Sequence, residues 1–257
     1  MQTIKTLRKK RYITYAFSLA LMLTSSLSLA ECDDPPAPKV NWKGCDKAGI
    51  DLSGADLRSA VLDKVNFEGA NLSKTNLRGA YLGRTNLHKA DLSKAKLIEA
   101  YLVGADLRQA NLEKALAKAA TFARANLTEA VLNGAFLEEA HFYDAKLNRA
   151  SLTKANLNKA DFSQANMSEV NLTSAKLQQA ILSRANLEDA NLSSADLYRA
   201  ELDRAFLVNT NLSNSNLSRA ILVDAEMINT DVSGAKLDYT NWNNRRRCRS
   251  GSVGECK

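Results

Sequence analysis

From Leu52 to Trp242 every fifth residue belongs to one series of 39 positions, with no insertion or deletion. Thirty of the 39 are Leu; the others are Phe67, Ala117, Phe122, Phe142, Phe162, Met167, Met227, Val232 and Trp242. Two residues before each central one stands Ala in most cases, otherwise a small or β-branched residue such as Thr75, Thr85, Val170 or Ser215. The other places are mainly Asn, Asp, Ser, Lys, Arg, Glu and Gly, so the unit reads A-(N/D)-L-x-x. A straight helix cannot use this period, because at about 100° per residue five residues spread the leucines around the cylinder. A straight strand fails as well, since its side chains alternate with a period of two. The leucines share one interior only if the chain turns at every repeat and each pentapeptide forms one side of a coil.

The exceptions give the number of sides. Phe122, Phe142 and Phe162 fall twenty apart, and Trp242 belongs to their series. The residue just before the central one is Asn or Asp at 21 of 39 positions, but at only two of ten in the series Val61, Tyr81, Tyr101, Thr121, His141, Asp161, Ile181, Glu201, Ile221, Asn241. In the other three series it is Asn or Asp at 19 of 29. A coil is therefore four pentapeptides, and the chain reads as an all-β, quadrilateral parallel β-helix of about ten 20-residue coils. At one β spacing per coil the rod is roughly 47 Å long. Its bore is filled by the central and small residues, with no channel. Asn, Asp, Ser and Gly suit tight corners.

"DLSGADLRSA", "ANLSKTNLRGA" and "ANLEDANLSSADL" resemble the pentapeptide-repeat proteins, and the resemblance spans residues 50 to 242. It implies a right-handed coil, with the central Leu and the preceding Ala inward. It implies little about activity. Two places depart from the pattern. At "KALAKAATFARA" the central place is Ala117 beside Leu116, which predicts either a bulge that turns Leu116 inward or a small cavity. Thr210 and Ser215 replace the inward Ala, and buried hydroxyls there need backbone partners.

The flanks differ from the repeat. Lys5, Arg8, Lys9, Lys10 and Arg11 precede the apolar run "AFSLALMLTSSLSLA", which ends Ser28-Leu29-Ala30. This is the pattern of a secretory signal with cleavage after Ala30. Tyr12 to Ala30 also approaches the length of a membrane-spanning anchor, the alternative being an uncleaved segment. Without residues 1–30 the formal net charge falls from +7 to +2, with 30 basic against 28 acidic residues left. Near neutrality argues against nucleic acid as a partner.

All four cysteines, Cys32, Cys45, Cys248 and Cys256, lie outside the repeats, and an even count in an exported chain reads as disulfides. Three pairings exist in principle. Cys45 is too few residues from the first coil to reach Cys248 at the other end, so Cys32 with Cys45 and Cys248 with Cys256 are expected. The division is a signal peptide (1–30), an N-terminal cap with Trp42 (31–49), the β-helix (50–242) and a C-terminal cap (243–257). Each cap covers an end that would otherwise present leucines and unpaired strand edges.

Chemistry is sparse. His88 and His141 occupy outward places on different sides, the carboxylates are scattered, and most glycines recur at one turn position. No nucleophile with an adjacent base, no phosphate loop, no metal site and no cofactor is expected, and the chain does not read as an enzyme. The side that avoids Asn and Asp is the candidate contact surface: Tyr81, Tyr101, His141, Ile181 and Ile221, flanked by Arg84, Arg124, Arg184 and Arg204. Tyr and Arg favour interface hot spots; the same β-branched and aromatic residues also suit a flatter, more strand-like side. Phe136 and Phe206 read as isolated outward rings or small patches.

The leading expectation is a non-catalytic scaffold or protein-binding rod, periplasmic or secreted, free of the membrane once cleaved, with room for a homodimer. Two others stand beside it: a gyrase-binding mimic of duplex DNA of the quinolone-resistance type, which the resemblance brings, and a secreted effector acting on host proteins or membranes. The export signal and the near-neutral charge speak against the first of these.

Overall fold

The computed structural model describes residues 32–257; the expected signal segment lies outside the described residues. Parallel bridges join residues twenty apart from Asn41↔Val61 to Ile221↔Asn241 without a break in register. The twenty-residue period read from the phenylalanines is therefore the coil. Side 1 has central residues from Leu62 to Trp242, side 2 from Phe67 to Met227, side 3 from Leu52 to Val232 and side 4 from Leu57 to Leu237. Central residues and the small residues two places before them are buried almost throughout.

One repeat shows why the motif has its residues. In Asn171–Ala175, the Asn171 N–H donates to the Ala150 carbonyl in the coil below (3.0 Å), while Leu172 and Ser174 donate to Asn191 and Ser193 in the coil above (2.7 and 3.0 Å). The Ala175 N–H closes a turn on the Leu172 carbonyl at 2.9 Å. Only the Thr173 N–H lacks a backbone acceptor, and Oδ1 of Asn171 accepts it at 3.1 Å. All five donors are thus satisfied. The same bond recurs at 20 of the 21 Asn and Asp residues in that place. Asn and Asp accordingly stand one residue before the central one, where they serve the corner from outside it.

The corner itself is a turn whose third residue has positive φ, the mark of type II. Ser174 takes φ 57°, and the equivalent residue is left-handed in every repeat from Gly54 to Tyr239, although most of these residues are not glycine. Lys, Arg, Glu and Gln accept this conformation at a local cost of about 1 kcal/mol, which the ladder of the next coil offsets.

The departures from the repeat resolve differently. At Ala117 there is no bulge: its N–H donates to Phe136 at 2.7 Å, Ala117 is fully buried, and Leu116 stays in the outward place as a bridge partner of Phe136. The ladder holds register on both sides, so the helical tendency of the segment loses. Thr210 Oγ1 donates to the Leu187 carbonyl at 2.7 Å, as Thr75, Thr85, Thr230 and Thr240 do to theirs. Ser215 Oγ is buried without a partner.

Both disulfides pair locally, Cys32 with Cys45 and Cys248 with Cys256. The register reaches back into the segment read as the N-terminal cap: Val40, Trp42 and Cys45 already occupy inward places. Trp42 is fully buried, meets Phe67 edge to face at 6.5 Å, and donates its indole N–H to the Asp34 carbonyl. The Lys47 ammonium lies 4.6 Å over the indole and bonds to the Cys32 carbonyl. At the other end the tail returns antiparallel along Lys236 and Asn241.

Candidate functional site

Side 1 carries the stripe singled out in the sequence. A continuous chain of parallel bridges runs Tyr81, Tyr101, Thr121, His141, Asp161, Ile181, Glu201, Ile221, so the five predicted residues of this column do share one face. Tyr81 and Tyr101 are each 47% exposed, and their rings stack at 5.2 Å and 7°. The coil rise imposes this: bridge partners twenty residues apart lie one β spacing away from each other, which is the distance at which aromatic faces meet.

Arg84, Arg124, Arg184 and Arg204 hold the left-handed corner position along the same side. Arg84 folds its stem over Gly104, 3.6 Å from where a Cβ would stand. Arg124 faces Asp144 one coil on, at 3.9 Å.

The face is not uniform. Asp161 and Glu201 interrupt the column, and Ile181 and Ile221, each next to one or both of these carboxylates, are only partly exposed. Its apolar part is concentrated around Tyr81, Tyr101 and His141, where two residues the sequence reading missed add to it. Val103 and Tyr143, in the place after the central residue, are 40% and 38% exposed. The signal was present: "YLVGA" and "HFYDA" put an apolar residue where the repeat places a polar one. Between Val103 and Lys43 lies a shallow cleft lined by Asp63, Lys64, Gly83 and Arg84. Any side chain at Gly83 would strike the Asp63 carboxylate at 2.6 Å.

Elsewhere the surface is laced with cross-coil ion pairs such as Arg149–Glu169 (3.0 Å) and Lys118–Glu138 (3.1 Å). Exposed pairs of this kind stabilise little. His88 lies on side 2, 3.3 Å from Glu68, away from His141. Among the described residues no group of three or more His, Cys, Asp or Glu could hold a metal ion, and no helix is long and apolar enough to cross a membrane. Phe206 lines one cleft with Val208 and Glu226, a small patch.

The family model described as pentapeptide repeats matches eight times, over residues 50–88, 75–113, 85–122, 120–158, 137–173, 145–184, 171–207 and 200–238. The chain belongs to the pentapeptide-repeat family. Its members fold as right-handed quadrilateral β-helices and are generally non-catalytic scaffolds. Among solved structures the chain is similar to HetL of Nostoc sp. strain PCC 7120, a pentapeptide repeat protein involved in the regulation of heterocyst differentiation. Identity is 32% and the TM-score 0.66, over 82% of this chain and 90% of HetL. It also aligns with a trypsin-treated form of QnrB1, a plasmid-mediated fluoroquinolone resistance protein, at 18% identity and TM-score 0.40, over 74% of this chain and 89% of that one. A pentapeptide repeat protein from the thylakoid lumen of Arabidopsis thaliana aligns at 25% identity and TM-score 0.21, over 58% and 66%. No curated protein sequence matches the chain.

Proposed function

We propose that this pentapeptide-repeat protein is an exported, non-catalytic rod of about ten coils. In this reading it works in the periplasm or outside the cell and binds a protein partner through side 1. The observation that carries the reading is the row of exposed apolar residues on side 1, the stacked Tyr81 and Tyr101 with Val103 and Tyr143, beside Arg84 and Arg124. Large rings held rigid by the ladder lose little conformational entropy on binding, and Arg beside Tyr is a hot-spot composition. A partner surface with apolar and acidic groups fits it. Export is supported by the N-terminal pattern Lys5 to Ala30 and by the two terminal disulfides, which persist in oxidising compartments.

The test has two parts. Cells expressing a C-terminally tagged chain are fractionated and the mature N-terminus sequenced; Glu31 outside the cytoplasm is expected, and an intact Met1 in the cytosol sinks the export reading. Cross-linking capture is then compared between the wild type and Tyr101→Glu. A partner lost from the variant supports side 1 as the contact face, and an unchanged set of partners overturns it.

A further inference from the structure

Where side 3 turns into side 4, the charge pattern of the rod changes. The third turn residue of side 3 is Lys74, Lys94, Lys114, Gly134 and Lys154 in successive coils, each with positive φ. Two residues on, in the first outward place of side 4, parallel bridges join Lys96, Leu116, Phe136, Asn156 and Lys176. From Lys74 to Lys176 these two neighbouring columns hold six lysines, all exposed, and no carboxylate. Elsewhere residues one coil apart pair opposite charges, as Arg149 does with Glu169 and Arg124 with Asp144. Here like charges follow one another at one β spacing, which is a repulsive arrangement. Among the described residues only Lys114 of the six is in an ion pair, with Glu113 at 3.0 Å. Between the lysines stand partly exposed Leu116 and Phe136, the latter 51% exposed. Gly134 leaves a gap in the lysine column, and the Lys114 stem crosses it, with Cγ 3.6 Å from where a Cβ would stand. A shallow cleft lined by Glu113, Lys114, Asn133, Thr153 and Lys154 opens there, two residues from Phe136.

We infer that this edge lies on a membrane surface bearing anionic phosphate headgroups. Phe136 and Leu116 enter the interface, and the lysines on either side of them along the rod hold the headgroups. Charge argues for an anionic partner, because the uncompensated column becomes favourable only when phosphates neutralise it. The apolar residues select a membrane over a dissolved polyanion, which would engage the lysines and leave Phe136 in water. Lysine suits the task, since its stem lies along apolar surface while the ammonium stays at headgroup level. Shape agrees as well: the coil rise sets these side chains along a straight edge, which meets a plane over its whole length. Side 3 lies across the coil from side 1, so a rod docked in this way keeps Tyr81 and Tyr101 directed away from the lipid. A cleaved rod, expected to be free of the membrane, thus keeps a peripheral hold on it.

Cosedimentation with vesicles tests the inference, on the protein as the cell processes it and with every variant in the same form. Vesicles of phosphatidylcholine mixed with phosphatidylglycerol should bind it at least roughly tenfold more tightly than phosphatidylcholine alone, and added salt should weaken that binding. Each lysine near an anionic surface strengthens binding by roughly fivefold, so Lys94→Gln with Lys154→Gln should weaken it about 25-fold. Gln109, Gln164 and Gln179 already hold the same left-handed corner elsewhere, so the fold tolerates the change, and circular dichroism should be unaltered. Phe136→Asn, which installs the residue usual in that place, should weaken binding about tenfold. Tyr101→Glu on side 1 should leave it intact, which separates this edge from the protein-contact face. Equal affinity for the two kinds of vesicle, or binding indifferent to the paired lysine substitutions, overturns the proposal. Binding that needs the lysines but ignores Phe136→Asn overturns it too, in favour of a dissolved polyanion.

Discussion

The ring of Phe162 lies face to face with that of Phe142, centroids 4.7 Å apart and planes 6° from parallel. Phe122 stacks on the other face of Phe142 at 4.8 Å and 4°. The spacing is that of adjacent β-strands, so the rings sit at the coil rise without adjustment, and Phe142 is covered on both faces. Phe142→Ala should destabilise by about 3–5 kcal/mol, whereas Phe142→Leu restores the residue usual at this place and should cost roughly 1 kcal/mol. Chemical denaturation of the two variants measures the difference. Equal losses would mean that ring stacking, and not filled volume, carries the contribution of the column.

The acceptor before the central residue makes a separate prediction. Asn191 accepts the Ser193 N–H at 3.0 Å. Asn191→Ala leaves that donor to water and should cost about 1 kcal/mol, while Asn191→Asp keeps the acceptor and should be close to neutral at pH 7. A loss of the same size in both would assign the effect to something other than this bond.

Much of this architecture was readable because a buried position with a strict period leaves few options: thirty leucines five apart exclude both a straight helix and a straight strand, and Phe122, Phe142 and Phe162 supply the count of four. The cysteine pairing followed from reach. The start of the coil at Val40 was hidden because Trp42, Cys45 and Lys47 occupy repeat places without looking like the repeat. Val103 and Tyr143 were missed because attention to one outward column passed over its neighbour. The path of the C-terminal tail was unreadable, since it pairs through backbone groups of residues with no period of their own. Why the motif wants Asn or Asp also needed coordinates: the orphan Thr173 N–H becomes visible only once the other four donors of its repeat are placed.

Acid should weaken the rod in a defined window. The Asp51 and Asp231 carboxyls are held below the ordinary carboxylate value first by the backbone N–H groups of Ser53 and Ser233. Asp106 is lowered first by its hydrogen bonds from the Arg108 guanidinium, at 2.8 and 2.6 Å. A carboxyl whose folded pKa is depressed stabilises the fold above its unfolded value near 3.9, and that stability is lost as pH falls through the folded value. The melting temperature should therefore be flat from about pH 7 to 5 and decline below about pH 4. Asp106→Asn keeps the acceptor for the Arg108 N–H and should make the decline shallower. A melting temperature that rises on acidification would contradict the assignment.

Ser215 and Thr210 occupy the same inward place in consecutive repeats with opposite outcomes. Thr210 reaches a carbonyl in the coil below; Ser215 Oγ is buried and unpartnered. A buried hydroxyl without a partner carries its full desolvation cost, so Ser215→Ala should raise stability by about 1 kcal/mol. Thr210→Ala removes a satisfied bond along with a packed methyl and should lower it by a similar amount. Opposite signs in one denaturant series check the pair; a loss in both would show that the Ser215 hydroxyl is bonded in solution.

Ala117 is the only central residue of side 4 that is not Leu, and it lies between Leu97 and Leu137 with the ladder intact on both sides. Because the register is kept, the coil provides the same place there as at its neighbours, with three side-chain carbons fewer to fill it. Ala117→Leu should therefore stabilise by about 2 kcal/mol, the lower end of what the reverse change costs in a core. The gain should come without change in far-ultraviolet circular dichroism. Leu116→Asp, in the outward place beside it, should cost well under 1 kcal/mol, since surface substitutions away from special features change stability little. If Ala117→Leu instead destabilised while Leu116→Asp was severe, Leu116 would be the core residue, and the chain would carry a bulge at this coil after all.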